Sequence, residues 1–314
     1  MERMTAKPPV YIDFTDFGTH LNKTDNYWTR ILALRYDVKI VDKPDLLFHS
    51  HDGNVHRLYT CKKVFHTGES YWPDLSISDY SFTFHEMEDP HNLRLPLYTR
   101  VDSELLVKAE GEAEDVLRGK TGFCCFFTSY GNKKTKLRVD FFHRLSRYKK
   151  VDSAGKYLNN IGRSVPFGID AKLAFMRSYK FYMAFENESM PGYTTEKIAE
   201  AMAARCLPIY WGNPEVAKDF NPKSFLSYHD FPSEEALIDR IIEIDRDDTL
   251  YLQYLKEPFF YGNKPNIFYD RNRILNFLKG ALEDPNPPVG ARRRWYQPGR
   301  WMLLKRNKPH RIFP

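Results

Sequence analysis

The stretch FYMAFENESMPGYTTEKIAEAMAARCLPIYWG, Phe181 to Gly212, opens as one buried strand and closes as another. FYMAFEN is an apolar β run, TEKIAEAMAARC carries Ile198, Ala201, Met202 and Arg205 at helical spacing, and LPIYWG returns to strand, with Pro208 near a strand start where it is tolerated. A strand, a helix and a strand in this order make a βαβ unit, which predicts parallel strands in an α/β layer. Thr194 or Thr195 is the expected N-cap. The polar residues between the first strand and the helix, including Glu186, Asn187, Glu188, Tyr193, Glu196 and Lys197, therefore fall at a strand's carboxyl end and a helix's amino end. That crevice is where open α/β sheets bind ligands.

Working outward, the same alternation runs through the chain. PVYIDF (9–14), VKIV (38–41), DLLFHS (45–50), KKVFHTGE (62–69) and YSFTFH (80–85) read as short strands, and TDNYWTRILALRY as a helix capped by Thr24 or Asp25. Residues 101–120 are charged and poor in aromatics, as expected of a surface segment near a domain boundary. TGFCCFFTS (121–129) is a compact buried strand. A helix follows with Leu137, Phe141, Phe142, Leu145 and Tyr148 on one face, and DAKLAFMRSY begins another. Further helices are expected at 233–245, 247–256 and 270–282.

A chain of 314 residues is long for one core and comfortable for two domains, and its 42% hydrophobic content is that of a folded globular protein. The formal charge of +6 suits an anionic partner without choosing one. Cys61, Cys124, Cys125 and Cys206 form no C-x-x-C pair, which fits a reducing, cytoplasmic setting and argues against zinc. No apolar run approaches the roughly 20 residues of a membrane span, and MERMTAKPPVYIDF has no apolar signal-peptide core. The end of the chain, ARRRWYQPGRWMLLKRNKPHRIFP (291–314), carries eight Lys or Arg, no acid, and interleaved aromatics. This composition fits peripheral contact with an anionic membrane surface, such as the inner face of a cell membrane, in preference to nucleic acid.

A helix N-terminus favours phosphate, and Lys197 in the first turn opposes its own helix dipole, a small cost that an anion nearby would relieve. Glu196 can accept hydroxyl hydrogen bonds from a sugar, and Tyr193 offers a ring and a hydroxyl. Neither G-x-x-x-x-G-K-[ST] nor G-x-G-x-x-G after a strand occurs, which argues against a P-loop kinase and a standard dinucleotide dehydrogenase. No D-x-D follows a predicted strand, the DRD at 245–247 lying where two expected helices meet, so a sugar-nucleotide diphosphate would be balanced by Lys, Arg and backbone dipoles; a divalent metal could assist without being required.

YKFYMAFENESMPGYTTEKIAEAMAARCLPIYWGNPEVAKDFNPKSFLSYHDF (179–231) closely resembles the signature region of the bacterial α-1,3-fucosyltransferases, glycosyltransferase family ten. Weaker similarity covers most of 60–280, including HTGES, LRLPLY and FCCFFTSYGNKKTKLRVDFFHRLSRYKKVDSAGKYLNNIG. The resemblance implies a GT-B fold, two Rossmann-like domains facing a central cleft. Residues 1–120 would hold an oligosaccharide acceptor, 121–285 GDP-β-L-fucose, and 286–314 would be a basic aromatic tail. It implies inverting transfer of fucose to a glycan hydroxyl, typically O3 of N-acetylglucosamine. Tyr193, Glu196 and Lys197 match donor-binding positions, with Lys197 at the phosphates, and Glu69 in HTGES matches the general base. Around SAGKYLNN, where the family carries a phosphate-binding Arg, this chain has Lys156 and Asn159, with Leu158 at one alignment and Arg138 a candidate substitute. Glu186 and Asn187 would brace the loop, with donor contact secondary. The alternative is a non-catalytic glycan- or nucleotide-sugar-binding protein on the same fold, which would have no use for a base at Glu69.

Overall fold

The computed structural model describes residues 6–18, 21–129, 131, 135–163, 165, 166 and 168–292. The basic aromatic tail, apart from its first residues, lies outside them.

Two all-parallel sheets organise the chain. The first takes β1 (Pro9–Thr15), β2 (Asp37–Ile40), β3 (Leu46–His49), β4 (Lys62–His66), β5 (Tyr80–Thr83) and β6 (Asn92–Arg94) in the order β2-β1-β3-β4-β5-β6. The register sets Ile12 beside Leu46, Phe48 beside Val64, and Phe65 beside Ser81. The central strand β3 is an almost wholly apolar run, and its Leu46, Leu47 and Phe48 are fully buried, as in a sheet covered on both faces. The second sheet takes β7 (Gly122–Phe126), β8 (Val151–Ser153), β9 (Tyr179–Phe185), β10 (Leu207–Trp211) and β11 (Leu226–Ser227) in the order β11-β10-β9-β7-β8. Helices α3 (Lys136–Leu145), α4 (Ile169–Met176), α5 (Glu196–Ala203), α6 (Glu234–Arg246) and α7 (Asp248–Lys256) accompany it.

The sequence expectations for the β9–α5–β10 unit hold to within two residues at each strand boundary and at the helix start, while the helix ends three residues before Cys206. Elsewhere there are differences. Helix α1 (Tyr27–Leu32) starts later than expected, because Asn26 is its cap. The Asn26 side chain accepts from Trp28 N and Thr29 N, while Thr29 Oγ1 accepts from Asn26 N at 2.9 Å, a reciprocal box that Thr24 and Asp25 cannot form. The segment 101–120 is not wholly superficial: Val101 and Leu106 are buried, and α2 (Glu112–Arg118) packs on α7. The last long helix, α8 (Arg271–Glu283), returns to the first sheet rather than the second. Its Ile274, Leu275, Leu278 and Ala281 share a core with Ile12, Phe48, Val64 and Phe82. The expected division at residue 285 therefore gives way to a crossover ahead of α8, since the apolar face of this helix is buried in the amino-terminal layer.

The two sheets are joined by a buried ion pair. Arg94, at the end of β6, donates Nη1 to Asp219 Oδ1 at 2.8 Å and Nη2 to Asp219 Oδ2 at 2.6 Å, and its other hydrogens reach Gly192 O and Phe84 O. Gly192 has φ +82, and a Cβ there would lie 2.2 Å from Phe84 O, so no other residue allows this approach. Arg94→Ala strands a fully buried carboxylate. The expected loss is about 3–5 kcal/mol of stability, read by denaturant unfolding. A loss under about 1 kcal/mol would mean that the pair does not hold the two layers together.

Candidate active site

The site lies where the carboxyl ends of β4 and β9 face each other. Glu69 follows β4 and is exposed; its backbone N–H donates to Thr67 Oγ1 at 3.0 Å, fixing the turn. Two donors approach its Oε2 from the other layer, Asn187 Nδ2 and Tyr193 OH, each at 3.4 Å. These long bonds bring Glu69 within reach of the polar cluster after β9. The neighbouring Ser70 Oγ donates to Glu188 Oε2 across the same gap. Tyr193 is buried, its ring edge-on to Phe84 at 4.7 Å, so it serves as a wall whose hydroxyl meets the carboxylate. Burial and the neighbouring carboxylates raise its phenol far above the ordinary value, which keeps it a hydrogen-bond donor.

Glu186 is the hub of the second layer. Fully buried, it accepts from Thr195 N and Thr195 Oγ1 at 2.6 Å and from Lys197 Nζ at 2.8 Å. Thr195 is the N-cap residue of α5 by position, but its hydroxyl is spent on Glu186. The anion facing Lys197 is thus a protein carboxylate, already seated at the helix start. Burial pushes the Glu186 carboxyl up even against the pull of Lys197. For Lys197 the attraction of Glu186 and Glu196 outweighs desolvation, so its ammonium is held firmly charged. Glu196 lies beside it, Oε1 at 3.8 Å from Nζ; burial would raise its carboxyl, but the Lys197 charge holds it below the usual value. Among the described residues two of the three Lys197 hydrogens are engaged, with Glu186 and with Thr195 Oγ1 at 2.8 Å, which leaves one for a ligand.

Arg138, on α3, joins the same cluster. Its side chain is buried, Nη1 donates to Asn187 Oδ1 at 3.1 Å, and Nε has no partner among the described residues. Native proteins seldom leave a buried guanidinium N–H unpaired, so an acceptor is expected there. The cluster holds two carboxylates, Glu186 and Glu196, and two cations, Lys197 and Arg138. It is close to neutral, and only part of each cation is free. Lys156 and Asn159 stand apart. Lys156 is exposed, and the Asn159 amide donates to Gly155 O and Arg163 O, shaping its own loop. Among the described residues no hydrogen bond or ion pair connects either to Glu186 or Lys197. The physical reason is local: Leu158 turns through a left-handed conformation, φ +60, and the loop closes on itself.

On the first-layer side a cavity of about 1130 Å³ opens beside Glu69, lined among others by Tyr27, Trp28, His51, His66 and Arg100. His66 is buried and neutral, its pKa lowered to about 3 by burial and by Arg100, whose Nη2 lies 3.2 Å from Nε2. Among the described residues, Asp16, His49 and His56 bring three potential metal-ligand atoms within 4.8 Å of one another. Asp16 already accepts from Val55 N, His56 N and His56 Nδ1 at 2.6–2.9 Å, and His49 Nε2 bonds Ser78 Oγ at 2.7 Å, so these donors are committed to holding the ends of β1 and β3.

Two family models match the chain, one over each sheet. Residues 117–269 match the model of glycosyltransferase family 10 (fucosyltransferase), C-terminal, and residues 12–100 match that of the alpha-(1,3)-fucosyltransferase FucT N-terminal domain. The chain belongs to glycosyltransferase family 10. It is 31% identical over 300 residues to alpha-(1,3)-fucosyltransferase FucT of Helicobacter pylori, covering 81% of this chain and 61% of that protein. It therefore spans about three-fifths of that relative's length. Alpha-(1,3)-fucosyltransferase 4 of Homo sapiens is 31% identical over 176 residues, covering 54% of this chain and 32% of its own. The crystal structure of an alpha1,3-fucosyltransferase with GDP-fucose superposes with TM-score 0.75 at 29% identity, over 91% of this chain and 94% of the other. The fold is accordingly the two-sheet GT-B arrangement that the resemblance implied. Sequence reasoning missed the Arg94–Asp219 clasp, the Ser70–Glu188 contact and Arg100 beside His66. Their partners lie far apart in the chain, and no short motif signals them.

Proposed function

We propose that the chain transfers L-fucose from GDP-β-L-fucose to a hydroxyl of an N-acetyllactosamine-type glycan, O3 of N-acetylglucosamine, with inversion to an α linkage. Such acceptors occur in Lewis-type, lipopolysaccharide and capsule glycans. The observation that carries this reading is Glu69, held by Asn187 and Tyr193 at the mouth of a cluster bearing Lys197 and Arg138. Glu69 is the general base that takes the acceptor proton as the hydroxyl attacks the anomeric carbon. The departing GDP diphosphate meets the remaining Lys197 hydrogen and the Arg138 guanidinium, whose planar fork suits two phosphate oxygens. Glu196 accepts from hydroxyls of the donor. The oligosaccharide enters through the cavity beside His51 and Arg100. Contact with an anionic membrane surface through the basic tail belongs to the same proposal, since surface glycans are built there. No helix among the described residues is long and apolar enough to cross a membrane.

Incubation of the wild type with GDP-fucose and N-acetyllactosamine, with a metal chelator present, tests the reading. An acceptor heavier by one deoxyhexose, formed together with GDP, is the expected result. GDP binding without any product from a panel of glycans would favour the binding-protein alternative.

A further inference from the structure

We propose that Trp72 is a sugar-stacking platform, the subsite for the ring adjacent to the one that receives fucose. This rests on the function proposed above. Trp72 is 65% exposed, and its neighbour Tyr71 is 52% exposed. An open indole forfeits the favourable burial that such a side chain normally finds, so a ring left outward beside a reactive carboxylate needs an occupant. It is also no loose side chain. Its one face lies flat on His85, ring centroids 3.6 Å apart and planes within 19°, and His85 is buried. The opposite face is the one offered to solvent.

The loop that carries Trp72 is clamped at each step. Tyr71 N donates to Glu69 O at 2.8 Å, Glu69 N to Thr67 Oγ1 at 3.0 Å, and the Tyr71 ring packs on His51 at 4.4 Å. Ser70 is tied to Glu188 of the other layer, and Pro73 disfavours helical backbone at Trp72. Three residues of chain put the Trp72 and Glu69 Cα atoms no more than about 10 Å apart, within the reach of a disaccharide. The supporting residue is equally close to the chemistry: His85 follows Phe84, which packs on Tyr193. A pyranose presents a face of C–H groups, and a fixed indole face binds it without losing rotamer freedom, because His85 has already fixed the ring. The hydroxyl-rich edge of the stacked sugar remains free, and the adjoining ring can reach Glu69 and the cavity beyond.

The test is an acceptor titration at saturating GDP-fucose for wild type, Trp72→Ala and Trp72→Phe, with GDP affinity and melting temperature measured alongside. Trp72→Ala is expected to raise the acceptor KM roughly five- to tenfold, as loss of one aromatic contact would. Its kcat and GDP affinity should be unchanged, and Trp72→Phe should be intermediate. An unchanged acceptor KM would overturn the platform, as would a KM change accompanied by an equal loss of GDP affinity. Saturation-transfer NMR with N-acetyllactosamine and GDP reads the same contact without turnover. If the wild type makes no product, the functional reading fails, yet sugar signals that vanish in Trp72→Ala would still uphold the platform. Equal signals in the two proteins, or none in the wild type, would overturn it.

Discussion

Glu69→Ala is expected to lower fucosyl transfer by about two to four orders of magnitude, the usual scale for loss of a general base, with GDP affinity within about twofold of wild type. The two halves of this expectation come from the geometry. Among the described residues, Glu69 touches the second layer only through the 3.4 Å contacts with Asn187 Nδ2 and Tyr193 OH, too long to contribute much to holding the proposed donor pocket. Lys197 and Glu186 are braced by Thr195, and Arg138 is held by Asn187 Oδ1, a bond that does not need the long contact between Asn187 Nδ2 and Glu69. Removing Glu69 should therefore leave the diphosphate pocket standing and take away only the proton acceptor. Glu69→Gln, which keeps the shape and an amide oxygen, should be nearly as inactive. A Gln variant with near wild-type rate would mean that this group positions the acceptor and accepts no proton. Steady-state transfer assays and calorimetric GDP titration, run on the same preparations, check both halves.

The second large effect is expected at Lys197. Because the fully buried Glu186 carboxylate depends on it, Lys197→Ala should cost about 3–5 kcal/mol of stability, a large part of the 5–15 kcal/mol typical of a domain. It should also weaken GDP binding, by roughly ten- to a hundredfold for one charge-assisted hydrogen bond. The single variant cannot separate these. The double variant Glu186→Gln/Lys197→Met does. It removes charge and counter-charge together, and a glutamine oxygen can still accept from Thr195 N, where Glu186 Oε1 now accepts at 2.6 Å. Stability should return to within about 1–2 kcal/mol of wild type, since buried pairs give little net stability over neutral replacements, while the GDP defect remains. Recovery of both stability and GDP affinity would assign Lys197 wholly to the fold and leave Arg138 as the phosphate cation.

The reading of the sequence reached farthest where structure is local. FYMAF and LPIYW are buried runs of strand length, TEKIAEAMA between them has helical spacing, and the resulting β9–α5–β10 unit appears where expected. It fell short where a partner comes from elsewhere in the chain. The dipole argument asked for an anion opposite Lys197, but only the folded strand end could supply Glu186 as that anion. Lys156 and Asn159 were attractive by their place in SAGKYLNN, yet the backbone at Leu158 turns that loop inward on itself. Arg138 was one cation among many on an amphipathic helix; burial and an unpaired Nε distinguish it. The return of α8 to the first sheet depends on apolar contacts more than 180 residues away in sequence, such as Leu278 with residues of β1 to β5, and no local periodicity encodes them.

The anomeric configuration and linkage of the product, read by NMR on material made by the wild type from GDP-β-L-fucose and N-acetyllactosamine, bear on the whole mechanism at once. With Glu69 drawing the proton on one side and Lys197 and Arg138 receiving the diphosphate on the other, the product should be the α-fucoside at O3 of N-acetylglucosamine. A β-fucoside would contradict displacement by a base-activated acceptor from the opposite layer.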